Sequence, residues 1–289
     1  MKQTAEQTWT LGRLLKWTTE HFTKSGVAAP RLEAEVLLAH AAGCKRIELY
    51  TRFDEPAEDA VRARFRELVR ERGKGCPVAY LVGRKEFFSL EFEITRDVLI
   101  PRPETESLVM ACLETACSEA SILDVGTGSG ILAVTLARQL RRSVVTAIDI
   151  SPGALEVARR NAARHGVAER VRFLQGDLLE PLKEGERFDI IVSNPPYIRS
   201  ASLAELEPSV RDFEPRLALD GGPDGLEVLG KIARAARDRL RAAGRLLLEF
   251  GVGQDQAISA LLTGLGYAEV KVRKDHADLP RVAQSVWPG

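Results

Sequence analysis

The first 75 residues carry apolar positions at helical spacing. Leu11, Leu14, Leu15 and Phe22 fall on one face, Leu32, Val36, Leu37 and His40 on a second, and Val61, Phe65, Leu68 and Val69 on a third. This predicts a small helical bundle, with Pro30 in a first helical turn and Gly26, Gly43 and Gly73 where helices stop. From Glu86 the period changes to two. Leu90, Phe92 and Ile94 alternate with Glu91 and Glu93, and Val98-Leu99-Ile100 comes after a short polar turn, which predicts a hairpin between two domains. Pro101-Arg102-Pro103 breaks the second strand. Glu104-Thr105-Glu106 then opens a helix running to about residue 116, with its acids near the positive end of the helix dipole.

Beyond Ser121, strand and helix patterns alternate. Strands are expected over 122–125, 144–150, 171–174, 188–192 and 245–250, and helices near 130–140, 152–165, 224–242 and 254–263. Such alternation implies a mainly parallel sheet covered on both faces, with ligands at the carboxyl ends of the strands. Residues 268–273 and 282–287 are expected to form a closing pair. The predicted organisation is a helical domain over 1–76, a hairpin linker over 77–103 and an α/β domain over 104–289.

Composition changes this picture little. Of 289 residues, 45% are apolar and 28% charged, ordinary for a globular protein that stays in water. The 41 basic and 41 acidic side chains cancel, which argues against a chain that coats a polyanion. Cys44, Cys76, Cys112 and Cys117 form no Cys-x-x-Cys pair and have no histidine at metal spacing, so they read as reduced thiols and no metal is expected. No apolar stretch approaches the roughly 20 residues that span a bilayer, and the polar start predicts a cytoplasmic protein.

Candidate chemistry gathers at the strand ends. Asp124-Val125-Gly126-Thr127-Gly128-Ser129-Gly130 joins the first strand of the sheet to a helix, where glycines let a ligand approach bare amides. Dehydrogenases use a similar turn, but Gly-x-Gly-x-Gly in place of Gly-x-Gly-x-x-Gly shifts weight toward S-adenosylmethionine over a nicotinamide cofactor. Asp149, at the end of the next strand, suits two vicinal ribose hydroxyls, or alternatively caps the next helix, although Ser151 is the better cap. Asp177 either accepts from an adenine amino group, with Leu178 packed on the ring, or is a plain turn acid. The fourth strand stops at Asn194-Pro195-Pro196-Tyr197, where two prolines remove two donors and fix two φ angles.

A glycine loop, two acids and this tetrapeptide at successive strand ends make the sequence resemble the class I S-adenosylmethionine-dependent methyltransferases, in particular those that methylate amide or exocyclic amino nitrogens. Such a nitrogen is a poor nucleophile because its lone pair is delocalised. The Asn194 side-chain oxygen and the Pro195 carbonyl are two acceptors able to take both N–H protons, held in aim by the prolines, with Tyr197 covering the flat substrate group. Adenine, cytosine and guanine amino groups and the glutamine amide all present such a nitrogen, and the tetrapeptide does not choose among them.

The flanking sequence does. Gly83-Arg84-Lys85-Glu86-Phe87-Phe88, then Leu99-Ile100-Pro101-Arg102-Pro103-Glu104-Thr105-Glu106, is similar to the hairpin and linker of the HemK family, the release factor glutamine methyltransferases. Residues 214–219 (Glu-Pro-Arg-Leu-Ala-Leu) and 221–226 (Gly-Gly-Pro-Asp-Gly-Leu) match the segment downstream of the tetrapeptide in that family. The resemblance implies a Rossmann-like domain with a seven-stranded sheet. It also implies methyl transfer from S-adenosyl-L-methionine, leaving S-adenosyl-L-homocysteine, to the glutamine of the Gly-Gly-Gln loop in class 1 peptide chain release factors. The cofactor residues it implies are Gly126, Thr127, Gly128, Ser129, Gly130, Asp149, Asp177, Leu178 and Asn194; at the position of Leu178 the family often has an aromatic. The substrate residues are Asn194, Pro195, Pro196 and Tyr197, of which Asn194, Pro195 and Tyr197 are the expected catalytic set, with Leu99 and Ile100 as pocket walls. The helical domain would help to hold the release factor, and the enzyme would act as a monomer with no nucleic acid or membrane partner. A nucleic-acid amino-group methyltransferase is the alternative.

Overall fold

Leu11, Leu15 and Phe22 lie on the buried side of the first helix in the computed structural model, which describes residues 8–289; the first seven residues of the expected 1–76 domain lie outside the described residues. That helix, α1 (Leu11–Lys24), starts at Thr10, whose side-chain oxygen accepts from the Arg13 amide. After it come α2 (Pro30–Ala42), the single turn α3 (Glu48–Thr51), α4 (Asp59–Gly73) and the short α5 (Val78–Val82). Pro30 occupies the first turn of α2, and Gly43 closes it in the left-handed conformation. Phe22, Leu37, Leu38, Leu49, Phe65 and Val69 belong to one apolar core.

The buried side of α2 differs from the expected one. Ala34, Leu37, Leu38 and Ala41 face the core, whereas Leu32 is 44% exposed. The difference arises from Glu35, buried on the same helix, where its carboxylate accepts from Arg31, Arg46 and the Tyr50 hydroxyl at 2.6, 3.0 and 2.5 Å. A buried charge is tolerated only when so paired, and a hydrophobic pattern places every glutamate toward solvent.

These helices form one compact unit, Met1–Gly83; the second, Arg84–Gly289, contains the rest of the chain. It opens with the antiparallel pair β1 (Arg84–Phe87) and β2 (Leu90–Glu93). This corrects the expected hairpin, whose second strand was placed at 98–100. The turn falls at Phe88-Ser89, both with positive φ (49° and 58°), in the sense that matches strand twist, but without the Asn or Gly that would have announced it.

The remainder is α6 (Glu106–Thr115), β3 (Ser121–Val125), α7 (Ile131–Gln139), β4 (Val144–Asp149), α8 (Pro152–Arg164), β5 (Val171–Gln175), β6 (Phe188–Ser193), the turn α9 (Pro208–Arg211), α10 (Glu227–Ala236), β7 (Leu240–Glu249), α11 (Asp255–Gly264), β8 (Ala268–Lys274) and β9 (Pro280–Val286). The seven strands from β3 onward form one sheet in the order β5-β4-β3-β6-β7-β9-β8. β3 to β7 run parallel; β9 is antiparallel to both its neighbours, the expected closing pair. The chain winds outward from β3 through β4 to β5, then returns to place β6 on the other side of β3. The crevice at the carboxyl ends of β3 and β6 is therefore the topological switch point where such sheets bind ligands.

The expected helix over 224–242 is too long. It ends at Ala236, and β7 begins at Leu240, which pairs with Phe188 before a shift in register brings Arg245 opposite Ile190. Residues 233–243 are rich in Ala and Arg, good helix formers, but pairing with β6 overrides that local preference.

Candidate active site

At the end of β3 the chain turns through Gly126, Gly128 and Gly130, all at positive φ (72°, 55° and 81°). Two of these glycines do different work. A Cβ on Gly130 would meet Ala158 of α8 at 3.1 Å, so this glycine permits close helix packing. A Cβ on Gly128 would meet nothing within 4 Å, so its backbone borders open space. Thr127 and Ser129 between them are buried.

Asp149, at the end of β4, faces this loop. Its Oδ2 accepts from the Gly128 amide at 2.7 Å and its Oδ1 from the Ser151 amide at 2.9 Å. The helix cap is Ser151, whose Oγ accepts from the Ala154 amide, so Asp149 is not used as one. Burial raises the Asp149 carboxyl above its ordinary value, while the amides of Ser151, Gly128 and Ile150 pull it part of the way back. Each oxygen keeps further lone pairs for a ligand hydroxyl.

A cleft of about 270 Å³ connects these groups. It is lined by Gly126, Thr127, Gly128, Ser129, Asp149, Asp177, Leu178, Asn194 and Pro196, together with Leu99 and Arg102 from the linker. Among the expected site residues, Gly130, Pro195, Tyr197 and Ile100 are not in that lining. Pro195 is buried, and Ile100 is 7% exposed with its amide donated to Glu214. The Tyr197 ring packs against the core of the sheet, with its hydroxyl 3.5 Å from Glu249 Oε1. The open backbone, the paired acids and the cleft at the switch point suit a nucleoside-bearing cofactor such as S-adenosylmethionine.

The tetrapeptide is held from below and behind. Ser193 donates to the Val125 carbonyl at 2.6 Å, tying its start to β3. Asn194 Nδ2 donates to the Thr105 hydroxyl at 3.0 Å. The Tyr197 carbonyl accepts from Gln254 Nε2 at 3.0 Å, and the Ile198 amide donates to Leu219. Neither Asn194 Oδ1 nor the Pro195 carbonyl oxygen accepts a hydrogen bond from any described residue.

Residues to which the sequence reading gave no individual role supply much of this support. Glu214 accepts from the Ile100 amide at 3.1 Å and from Arg102 at 2.5 Å, which pins the linker beside the cleft. Asn161 donates to the carbonyls of Glu93 and Ser129 and accepts from the Glu93 amide, joining the hairpin to the glycine loop. Asp124 is fully buried beneath that loop, accepts from Thr127 Oγ1 and the Ala133 amide, and burial pushes its carboxyl up to about 7. For Asp124 and Asn161 the available signal was a polar residue inside an apolar strand or helix pattern, and for Glu214 it was the segment 214–219 that matches the family. Among the described residues no cluster of His, Cys, Asp and Glu is arranged to hold a metal ion, and no disulfide joins Cys44, Cys76, Cys112 or Cys117.

Comparison with known proteins decides which family this architecture serves. The family model for the PrmC N-terminal domain matches residues 13–83, and that for the methyltransferase small domain matches 104–207. A release factor glutamine methyltransferase from Rhodopirellula baltica is 44% identical over 298 residues, covering 98% of this chain and 98% of its own. One from Moorella thermoacetica is 46% identical over 275 residues, covering 94% and 96%. The chain belongs to the release factor glutamine methyltransferase family. Family membership and architecture together make the second unit an S-adenosylmethionine-dependent methyltransferase domain. A methyltransferase from Pyrococcus furiosus superimposes with a TM-score of 0.55 at 23% identity, covering 71% of this chain and 92% of that one. A 16S rRNA N2 G1207 methyltransferase from T. thermophilus, bound to AdoMet and guanosine, does so at 0.53 and 21%, covering 70% and 49%. At these identities the likeness speaks for the fold alone, which therefore does not distinguish a protein substrate from a nucleic acid.

Proposed function

We propose that this protein transfers a methyl group from S-adenosylmethionine to the side-chain amide nitrogen of the glutamine in the Gly-Gly-Gln loop of class 1 peptide chain release factors. The observation that carries this reading is the similarity, over almost the whole chain, to release factor glutamine methyltransferases; Asn194 Oδ1 and the Pro195 carbonyl are the two acceptors that it assigns to the substrate amide. A planar NH₂ has two protons to give, and these two oxygens can accept one each.

The cofactor supplies a methyl group on a cationic sulfur and leaves as S-adenosylhomocysteine. Asp149 would accept from the ribose hydroxyls, Asp177 and Leu178 would meet the adenine, and the loop from Gly126 to Gly130 would hold the rest. Asn194 and Pro195 hold the substrate nitrogen and draw its protons toward oxygen, which raises electron density on nitrogen as the N–C bond forms and the S–C bond breaks. One N–H proton is then released. Because the two prolines fix the backbone, alignment costs little at the moment of reaction. Tyr197, packed beneath the loop, holds its shape.

The helical domain expected over 1–76 helps to grip the release factor. In support, it bears a groove of about 620 Å³ that includes Trp9, Trp17 and Phe65, edged by Arg62, Arg66 and Arg70, and Trp17 is 51% exposed. No helix among the described residues is long and apolar enough to cross a membrane. We place the enzyme in the cytoplasm with its substrate, as a monomer that needs no nucleic acid.

The test is incubation with labelled S-adenosylmethionine and a class 1 release factor, either unchanged or with its loop glutamine replaced by alanine. Label should enter only the unchanged factor. Equal labelling of both, or transfer to DNA or RNA instead, would overturn the proposal.

A further inference from the structure

Two stretches outside the sheet wall the cleft beside Asn194. Leu99, Pro101 and Arg102 line it from the linker, and Pro215, Leu217 and Ala218 line it from the segment that follows the tetrapeptide. The linker stretch belongs to no helix or strand, and the downstream one has only a single 3-10 turn, Arg216–Ala218. No sheet ladder fixes either wall, so side chains must do it.

Three contacts tie the linker down. Asp97 packs on the backbone of Gly153 at the start of α8, where an added Cβ would stand 3.0 Å from its carboxyl group. The Arg96 guanidinium lies over the ring of Phe213, 5.6 Å from its centre. Glu214, only 6% exposed, makes the most specific tie: its Oε2 accepts from the Ile100 amide at 3.1 Å and its Oε1 from Arg102 Nη2 at 2.5 Å. These two bonds fall on either side of Pro101, whose ring already fixes its φ, so the course of the linker is set at three successive residues. The residue after Glu214 is Pro215, part of the second wall. One carboxylate thus couples both walls.

We propose that Glu214 is a positioning residue that clasps the linker to the downstream segment and so fixes the slot through which the substrate glutamine side chain reaches Asn194. The proposal rests on the reading of this cleft as the glutamine site, and the chemistry of the lining supports it. Leu99, Pro101, Pro215 and Leu217 are apolar, whereas Asn194 is polar. A glutamine side chain has the matching order, two methylenes that lie against apolar walls and a terminal amide that goes to Asn194 and the Pro195 carbonyl. Its nitrogen reacts only when aligned with the methyl group, and a displacement of about 1 Å in what positions it costs roughly a hundredfold in rate. A carboxylate suits this task because its two oxygens hold two points of the linker at once. An apolar side chain of the same volume would leave the buried Ile100 amide without an acceptor.

The experiment compares the wild type with Glu214→Ala and Glu214→Gln. It measures kcat and KM for methyl transfer to the release factor, S-adenosylmethionine affinity by calorimetry, and hydrogen exchange at the Ile100 amide. Glu214→Ala should lower kcat by about tenfold or more, with KM for the release factor and cofactor affinity each changed by less than about threefold, because alignment is lost and not binding. Its Ile100 amide should exchange faster. Glu214→Gln keeps an oxygen for that amide but turns an NH₂ toward Arg102, so its kcat should fall between the other two while Ile100 exchange stays near that of the wild type. If the alanine variant does not fold, the glutamine variant decides. Wild-type kcat in either variant, a loss of cofactor affinity as large as the loss in kcat, or unchanged Ile100 exchange in Glu214→Ala would overturn the proposal. If the wild type leaves glutamine unlabelled, the proposed function fails instead, and exchange at Ile100 still decides whether Glu214 holds the linker.

Discussion

Gly225 lies directly against the backbone of Tyr197: a Cβ at Gly225 would stand 2.5 Å from the Tyr197 carbonyl oxygen, and one at Gly221 would stand 2.7 Å from its Cα. Neither distance is possible for a real side chain. The segment from Gly221 to Leu226 is therefore a backbone-to-backbone brace for the tetrapeptide, and Gly221 and Gly225 leave no room for a side chain against it. Gly225 also has φ of 75°, which adds the strain of a left-handed conformation to any replacement.

Gly225→Ala should displace the tetrapeptide while leaving the glycine loop and Asp149 alone. The expected result is a loss of about tenfold or more in kcat, with S-adenosylmethionine affinity changed by less than about threefold. Single-turnover transfer and calorimetry separate the two. An equal loss in both would mean that the brace supports the whole cleft.

Asn194→Ala removes one of the two proposed acceptors without altering the prolines that shape the loop. Deleting a hydrogen-bonding partner of a buried polar group costs roughly 1 to 3 kcal/mol, so transfer should slow by about tenfold to a hundredfold while thermal unfolding moves little. Turnover close to that of the wild type would refute the acceptor role.

Asp149→Asn probes the proposed ribose site. The carboxylate accepts backbone amides on both oxygens, from Gly128 and from Ser151. An amide has one acceptor oxygen, so one of those N–H groups must face an NH₂. Cofactor binding should weaken by about tenfold or more, read by calorimetry, because the loop loses a fixed contact as well as the ligand losing a partner. Unchanged affinity would remove Asp149 from the cofactor site.

Glu35 gives the helical unit a pH dependence of predictable sign. Burial alone would raise its carboxyl, but hydrogen bonds from Tyr50, Arg31 and Arg46 outweigh that and hold it below the ordinary value of 4.5. A depressed folded value stabilises the protein above the unfolded one, and the gain is lost as pH falls through the folded value. Glu35→Gln should be less stable near neutrality by about 1 to 2 kcal/mol, a figure discounted because both arginines are half-exposed. The gap between wild type and variant should close below about pH 4.5. A gap that stays constant with pH would show that the carboxylate charge contributes nothing.

Much of the fold was legible in the chain because its signals are local. Short apolar runs at 122–125 and 188–192 became β3 and β6, Pro30 and Ser151-Pro152 opened helices, and Gly43 closed one. The errors also share a cause. The turn at Phe88-Ser89 uses positive φ without glycine, Glu35 is buried, and β7 starts in a stretch of good helix formers. In each case a contact distant in sequence outweighed the residue's own preference.

The same division runs through the candidate site. Glycines, prolines and acids at strand ends reflect backbone constraints that act within a few residues, so the amino-acid order was enough to show the loop at 126–130, Asp149, Asp177 and the tetrapeptide. Partnerships are another matter. Glu214 with Ile100 spans 114 residues, Ser193 with Val125 spans 68, and Asn194 meets Thr105 across 89. Those contacts depend on strand order and register, which place distant segments side by side, and a hydrogen bond exists only where that placement brings a donor within about 3 Å of an acceptor.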